Sequence, residues 1–294
     1  MIITLLFVGL IVGSFLNVVI HRLPRMIAGI WEFETADGRR IPAKADFDLA
    51  QPRSFCPSCG HRIRAIENIP LISYLWLKGR CAGSGCRIPL RYPLVEIGGA
   101  LIALLAGWHF GYGIEALGAC LLGWALLAAS AIDIETGLLP DTITLPLIWS
   151  GLAFNIGDTF TPLEDAVLGA IFGYLSLRII FHIFEALTGK EGMGFGDFKL
   201  LAALGAWLGW QSLIGIVFLS SLFGIVIAGI SIYKKARSAA ERARGGSQDD
   251  HASSPAAEVS LPFGPYLSLA GLHILYIGDP FDLLLRIISR HVGL

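Results

Sequence analysis

Charged residues are scarce in this chain. Asp, Glu, Lys and Arg make up 15% of its 294 residues, and hydrophobic types make up 54%, whereas soluble domains carry about 25% charged residues. The mean hydropathy is +0.67. This shortage of charge excludes an ordinary soluble domain. Together with several apolar runs of roughly 20 residues, it predicts a helical protein that crosses a membrane repeatedly.

Basic residues are absent from the start of the first apolar run. A secretory signal peptide carries them before its apolar segment, but here they follow it, at His21, Arg22 and Arg25. We therefore predict a retained first span whose N-terminus lies outside the cell. The net charge of −1 gives no indication of a nucleic-acid partner, and nothing in the sequence indicates the oligomeric state.

The predicted fold is an all-α polytopic membrane protein of about eight transmembrane helices with a small cytoplasmic loop subdomain. With residue 1 outside, the cytoplasmic segments hold 19 of the 22 Lys and Arg residues, which agrees with the positive-inside rule. The predicted spans are 2–20, 93–110, 116–133, 142–156, 164–187, 198–210, 212–233 and 266–278.

Three parts follow from these spans. Residues 1–20 form the first transmembrane helix, 21–92 a cytoplasmic loop, and 93–294 the main membrane domain. Within the last part, 236–258 is small, polar and charged, and we predict a disordered cytoplasmic loop there.

Four of the five cysteines lie in the long polar loop, as Cys56-x2-Cys59 and Cys81-x4-Cys86. Two cysteine pairs about 20 residues apart are typical of a structural zinc site. A cytoplasmic location disfavours the alternative of disulfides, and free thiols are the other alternative. The fifth cysteine, Cys120, lies in an apolar run and is predicted to be packing.

Two aspartates lie at the ends of apolar runs. Asp133 ends one run, and Asp197 closes Gly194-Phe195-Gly196-Asp197 before the next. A carboxylate at the rim of a membrane span is costly and indicates function. Two neighbouring carboxylates can act as base and acid on water, so we predict a paired-carboxylate site at the cytoplasmic rim. We expect Asp141 to cap the helix that follows Pro140.

Motifs of other hydrolases are missing. The chain contains neither Gly-x-Ser-x-Gly nor His-Glu-x-x-His. Arg178, His182 and Glu185 fall on one helix face at i, i+4 and i+7, and we interpret them as an internal charge network.

Taken together, the motifs resemble those of the bacterial type IV prepilin peptidases, a family of GxGD-type intramembrane aspartyl proteases. The resemblance covers nearly the whole chain. Its pieces are GSFLNVVIHRLP at 13–24, the four cysteines, NIPLISY at 68–74, RYPLVE at 91–96, the stretch from Asp133 to Asp141, and GFGDFKL at 194–200.

This resemblance implies that Asp133 and Asp197 are the catalytic pair of an endopeptidase in the bacterial inner membrane. Its substrates would be type IV prepilins and the pseudopilins of type II secretion, cut after a glycine at the cytoplasmic face. Members with the cysteine loop also methylate the new N-terminal amine with S-adenosylmethionine, and Gly79 falls in the associated motif. The family usually has Cys-x2-Cys twice, so Cys81-x4-Cys86 departs from it, and we expect a looser turn there.

Other functions are compatible with parts of the pattern. A presenilin-like GxGD protease would pair Tyr-Asp with the tetrad, whereas Ile132 precedes Asp133 here. A transporter places its carboxylates near the bilayer midplane. A membrane scaffold could dock a partner on a zinc loop.

Overall fold

The structure is a computed structural model that describes residues 2–28, 32–34, 40–42, 48–189, 194–244 and 262–281. Within these ranges the chain forms nine α-helices and one short hairpin. The helices are α1 Ile2–Ile27, α2 Ile72–Trp76, α3 Arg91–Phe110, α4 Ile114–Thr136, α5 Asp141–Phe154, α6 Leu163–Thr188, α7 Phe195–Leu208, α8 Ser212–Arg244 and α9 Gly264–Ile277. The antiparallel strands are β1 Glu32–Glu34 and β2 Arg40–Pro42, and single 3-10 turns cover Ala65–Asn68 and Asn155–Gly157.

Each of the eight predicted spans lies largely in one helix. Four helices, α1, α3, α4 and α6, are long and apolar enough to cross a membrane. The helices α5, α7 and α9 have 14 residues each, or roughly 21 Å, which is shorter than a bilayer core of about 30 Å. The all-helical membrane class is therefore confirmed, and the number of eight crossings stays a prediction.

Helix α7 is the centre of the bundle. All of its residues from Leu200 to Trp207 are buried, as expected for a helix that is apolar on every face. Its C-terminal end is fixed by hydrogen bonds to neighbours. The Trp207 indole N–H donates to the Leu147 carbonyl at 2.8 Å, and the Asn155 amide donates to the carbonyls of Ala206 and Trp207 at 2.9 and 3.1 Å.

Glycines bring α6 and α7 into backbone contact. A Cβ atom on Gly173 would lie 2.7 Å from the carbonyl oxygen of Leu201, and one on Gly169 would overlap the backbone of Gly205. Small residues at a crossing let two helices in lipid gain dispersion contacts that larger side chains would prevent. The helices α1 and α3 cross in the same way, through Gly13 among others.

Helix α8 continues beyond the predicted end of its span. It runs to Arg244, so the first part of the loop predicted as disordered, 236–244, is helical. Ala, Arg and Glu dominate this stretch and are strong helix formers, and this propensity prevails over the low apolar content. The rest of the predicted loop, 245–258, falls outside the described residues.

We expect Gly205→Val to lower the stability of the protein by about 1–3 kcal/mol or more, because the added side chain must separate α7 from α6. The control is Gly157→Ala, since a Cβ at Gly157 meets open space. Thermal unfolding of both variants in detergent measures the difference. Equal melting temperatures would contradict the close crossing.

Candidate active site and metal-binding loop

Asp133 lies in the last turn of α4. The helix ends at Gly137, which takes a left-handed conformation (φ 66°) and donates its N–H to the Asp133 carbonyl at 2.8 Å. A glycine is favoured here because it adopts this conformation without a steric penalty. The side chain of Asp133 is 5% exposed, so the carboxylate is enclosed by the bundle.

Asp197 lies in the first turn of α7, where Gly194 is the N-cap residue. Its N–H donates to the Gly194 carbonyl at 3.2 Å. The helix macrodipole favours a negative charge at this position. A Cβ on Gly196 would lie 2.5 Å from the Cβ of Leu139, so this glycine makes room for the loop between α4 and α5.

The two aspartates come together, as the sequence predicted. Asp197 is 7% exposed, and its carboxyl group is close enough to that of Asp133 for the two to interact electrostatically. Each carboxylate receives one backbone N–H. Oδ2 of Asp133 accepts that of Gly264 at 3.0 Å, and the Asp197 carboxylate receives that of Gly194. Oδ1 of Asp197 is buried and has no partner among the described residues.

Gly264, the first residue of α9, is a site residue that the sequence reasoning missed. A Cβ on it would lie 2.7 Å from Oδ2 of Asp133, so only glycine lets its N–H approach the carboxylate this closely. Pro265 follows at the helix start, where proline is favoured. The Gly-Pro pair before an apolar run was the available signal.

The charged neighbours of the pair form ion pairs. Asp141 is the first residue of α5 rather than its cap, since Pro140 is the N-cap residue and no side chain caps the helix. The prediction of an Asp141 cap was therefore wrong. Its carboxylate instead binds Nζ of Lys199 on α7 at 2.6 Å. Glu135 forms an ion pair with Arg91, the first residue of α3.

The predicted internal charge network on α6 is not internal. Nδ1 of His182 lies 3.4 Å from Oε2 of Glu185, and both side chains are about half exposed. Arg178 donates to the hydroxyl of Tyr174 and is also exposed. These residues lie on the outer face of α6, because the inner face is occupied by the crossing with α7.

The four loop cysteines converge. The sulfur atoms of Cys56, Cys59, Cys81 and Cys86 all lie within 4.8 Å of one another. None forms a disulfide, and neither does the buried Cys120. This arrangement can hold a metal ion.

Both cysteine turns have the same backbone. In the first, Cys56 N–H donates to the carbonyl of His61 at 2.8 Å, and in the second, Cys81 N–H donates to that of Cys86, also at 2.8 Å. Gly60 and Gly85 occupy the equivalent position with φ of 73° and 70°.

The spacing had led us to expect a looser second turn, and this prediction was wrong. The second thiol has moved along an unchanged turn, from the fourth position (Cys59) to the sixth (Cys86). Ser84 occupies the place that corresponds to Cys59. Its hydroxyl also contacts the Cys59 thiol, so it stays part of the cluster.

Two thiols of the cluster differ in acidity. Burial raises the pKa of Cys56 to about 12, whereas a hydrogen bond from Ser84 lowers the pKa of Cys59 to about 7. Because metals bind the thiolate form, a bound ion would displace protons from the buried thiols. Metal affinity should therefore fall as the pH is lowered.

The fold and the site together define a helical membrane protein with two buried aspartates at one end of its bundle and a four-cysteine loop. A family model described as the bacterial peptidase A24 N-terminal domain matches residues 7–110. A second, described as the type IV leader peptidase family, matches 120–229. No solved structure matches the chain.

Curated relatives carry the name prepilin leader peptidase/N-methyltransferase. The protein of Pseudomonas aeruginosa is 47% identical over 274 residues, covering 92% of this chain and 88% of its own. That of Aeromonas salmonicida is 48% identical over 276 residues, with 92% and 89% covered, and that of Burkholderia pseudomallei is 45% identical over 284 residues, with 94% and 85% covered. The chain therefore belongs to the type IV prepilin leader peptidase family.

The equivalence of the two turns predicts that a cysteine at Ser84 can replace Cys86. We expect Cys86→Ser alone to lower the bound metal, and the double variant Ser84→Cys/Cys86→Ser to restore it to one ion per protein. The metal content of purified protein, measured by mass spectrometry, distinguishes the two. A double variant as poor in metal as the single one would contradict the equivalence.

Proposed function

We propose that this protein is a membrane aspartyl endopeptidase that removes the leader peptides of type IV prepilins and type II secretion pseudopilins after a glycine. It then methylates the new N-terminal amine, with S-adenosylmethionine as the methyl donor. The observation that carries the proposal is the burial of Asp133 and Asp197 at one end of the bundle, close enough to interact electrostatically. The names of the relatives support the choice of substrate and of the second reaction.

The two carboxyl groups have the arrangement that metal-free peptide hydrolysis requires. Two such groups close enough to interact cannot both ionise cheaply, so one is ionised and the other keeps its proton as an acid. The ionised group removes a proton from water, whose oxygen attacks the scissile carbonyl carbon. The acid protonates the leaving nitrogen as the C–N bond breaks.

The hydrogen bonds suggest how the roles are divided. A backbone N–H stabilises a carboxylate, so we assign the water-activating role to Asp133, which accepts from Gly264. Asp197 also receives a backbone donor, from Gly194, but its Oδ1 is buried and has no partner among the described residues. We assign the shared proton to this oxygen, which places the acid in the first turn of α7.

We propose that the metal of the cysteine loop is structural zinc. Four thiolates placed tetrahedrally at about 2.3 Å from a zinc ion lie about 3.8 Å from one another. The sulfur distances between Cys56 and Cys86 and between Cys59 and Cys81 are 3.6 and 3.8 Å. Four thiolates leave no open position for catalysis, so the ion would fold the loop.

The protein would lie in the bacterial inner membrane with its active site at the cytoplasmic face. The pair of aspartates and the cysteine loop are at the same end of the helices, since Arg91 after the loop contacts Glu135 beside Asp133. The cytoplasmic loop of 21–92 is rich in basic residues. We accordingly propose 1–20 as the first span, 21–92 as the metal-binding loop and 93–294 as the peptidase domain.

We expect Asp133→Asn and Asp197→Asn each to reduce leader cleavage by roughly hundredfold or more, since each removes one proton-transfer group. The matched control is Asp158→Asn. Asp158 lies in a left-handed conformation that asparagine tolerates, and an amide oxygen can still accept the Leu163 N–H. Mass spectrometry of a purified prepilin incubated with each variant in detergent measures cleavage.

If either active-site variant cleaved at the wild-type rate, the paired-aspartate mechanism would be wrong. A folded variant with a normal metal content and no cleavage would instead support an enzyme over a transporter or a scaffold.

We also expect Gly264→Ala to reduce cleavage by about tenfold or more while the protein stays folded. The new methyl group would displace the Asp133 carboxylate from the N–H that orients it, and small displacements of catalytic groups are costly. Gly224→Ala is the control, because a Cβ there makes only ordinary contacts with the Tyr266 ring at 3.5 Å. Equal cleavage by the two variants would argue against an orienting role for α9.

A further inference from the structure

A cavity lies between the cysteine loop and the cytoplasmic ends of α1 and α3. With its mouth it encloses about 1230 Å³ of empty space, open solvent included. Its wall contains residues from all three parts, including Asn17 of α1, Tyr74 of the loop and Glu96 of α3. Neither aspartate of the proposed peptidase lines it.

The cavity presents an unused hydrogen-bond acceptor. Asn17 is 4% exposed, and its Nδ2 donates to the Tyr92 carbonyl at 3.0 Å. Its Oδ1 is buried and has no partner among the described residues. Because an unpartnered buried acceptor is unfavourable, this oxygen indicates a ligand that donates a hydrogen bond.

One part of the cavity wall presents a carboxylate beside aromatic rings, while Arg22 and Arg87 line other parts of it. Oε2 of Glu96 accepts the Leu71 N–H at 2.8 Å, which holds the half-buried carboxylate in the wall. The rings of Tyr74 and Tyr92 line the same space. A carboxylate and aromatic faces together attract a cation whose charge is spread over alkyl groups, such as a sulfonium or quaternary ammonium ion.

We propose that this cavity binds the adenosyl sulfonium methyl donor, and that Glu96 and Asn17 are its recognition residues. The inference rests on the proposed methyl transfer and adds the place where it occurs. Glu96 would attract the cationic end of the donor, and Asn17 Oδ1 would accept a hydrogen bond from its adenine amine or ribose hydroxyl. Apolar wall residues such as Leu77 and Ile88 would cover the adenine ring.

The position of the cavity suits a reaction that follows cleavage. Ile20 of α1 belongs to one apolar cluster with Ile132, the neighbour of Asp133, while Asn17 lies one turn from Ile20 in the cavity wall. The site where the amine is formed and the site where it is methylated therefore both adjoin α1. The amine, once deprotonated, forms the new N–C bond as the C–S bond breaks, leaving a thioether and one released proton.

The test compares Glu96→Gln with Glu164→Gln, an exposed glutamate at the start of α6. The amide can still accept the Leu71 N–H but carries no charge. We expect Glu96→Gln to weaken binding of S-adenosylmethionine about tenfold or more by equilibrium dialysis, with normal leader cleavage and metal content. The Glu164→Gln variant should bind like the wild type.

Photolabelling of the wild type with 8-azido-S-adenosylmethionine keeps the proposal testable if Glu96→Gln does not fold. Labelled peptides should come from 14–22, 54–63 or 73–93, and labelling elsewhere would overturn the proposal. Unchanged donor binding by Glu96→Gln would also overturn the proposal. If this variant bound the donor normally but had a raised KM for prepilin cleavage, the cavity would be a binding site for the leader peptide instead.

The proposed function fails separately from this inference. A wild type that cleaves but neither binds the donor nor methylates the product would refute the second activity itself, and the cavity assignment with it. A wild type that methylates while Glu96→Gln binds the donor normally would refute only the assignment of the cavity.

Discussion

The hydrogen bond from the Gly264 N–H to the Asp133 carboxylate joins α9 to α4. A carboxylate that is 5% exposed inside an apolar bundle needs a donor, because burial without one is strongly unfavourable. The donor is the backbone N–H of Gly264, and a Cβ at this position would lie 2.7 Å from Oδ2 of Asp133, so the contact requires a glycine. The position of α9 beside α4 is therefore a requirement of the site as well as of packing.

The burial of α7 fixes the position of Asp197, the second aspartate of the pair. Its run of buried residues is enclosed by α5, α6 and α9, and its C-terminal end is fixed by Asn155 and Trp207. A helix held at one end and packed on all sides has little freedom to rotate, so its first turn delivers Asp197 to a defined place. The glycine crossing with α6 supplies part of this constraint, because it allows no gap between the helices.

Periodicity and composition predicted the features that depend on nearby residues. Apolar runs predicted α1 and the seven helices from α3 to α9, and residue type with spacing singled out both aspartates and all four cysteines. The bond between Gly264 and Asp133 spans 131 residues, and a backbone N–H has no side chain to mark it. Asp141 was misread for the same reason, since Lys199, the partner that it binds instead, is 58 residues away.

The cysteine turns show a different limit of sequence reasoning. Spacing alone suggested a longer turn at Cys81–Cys86, but hydrogen bonds and the glycine conformations are the same in both turns. A ligand can move along a turn of fixed shape, because the backbone geometry depends on the glycine and not on the cysteine. The number of residues between two ligands therefore gives the length of the turn only when the positions of the ligands within the turn are known.

The loop and the membrane domain are attached by few polar contacts. Arg22 of α1 donates to the carbonyls of Asp48 and Pro52 at 2.8 and 2.6 Å, and Glu96 of α3 accepts from Leu71. The aspartate pair depends on α4, α7 and α9, and the ion pair between Arg91 and Glu135 links α4 to the residues that follow the loop. A disturbed metal loop would therefore move the walls of the cavity directly, and its effect on the aspartates would pass through this ion pair.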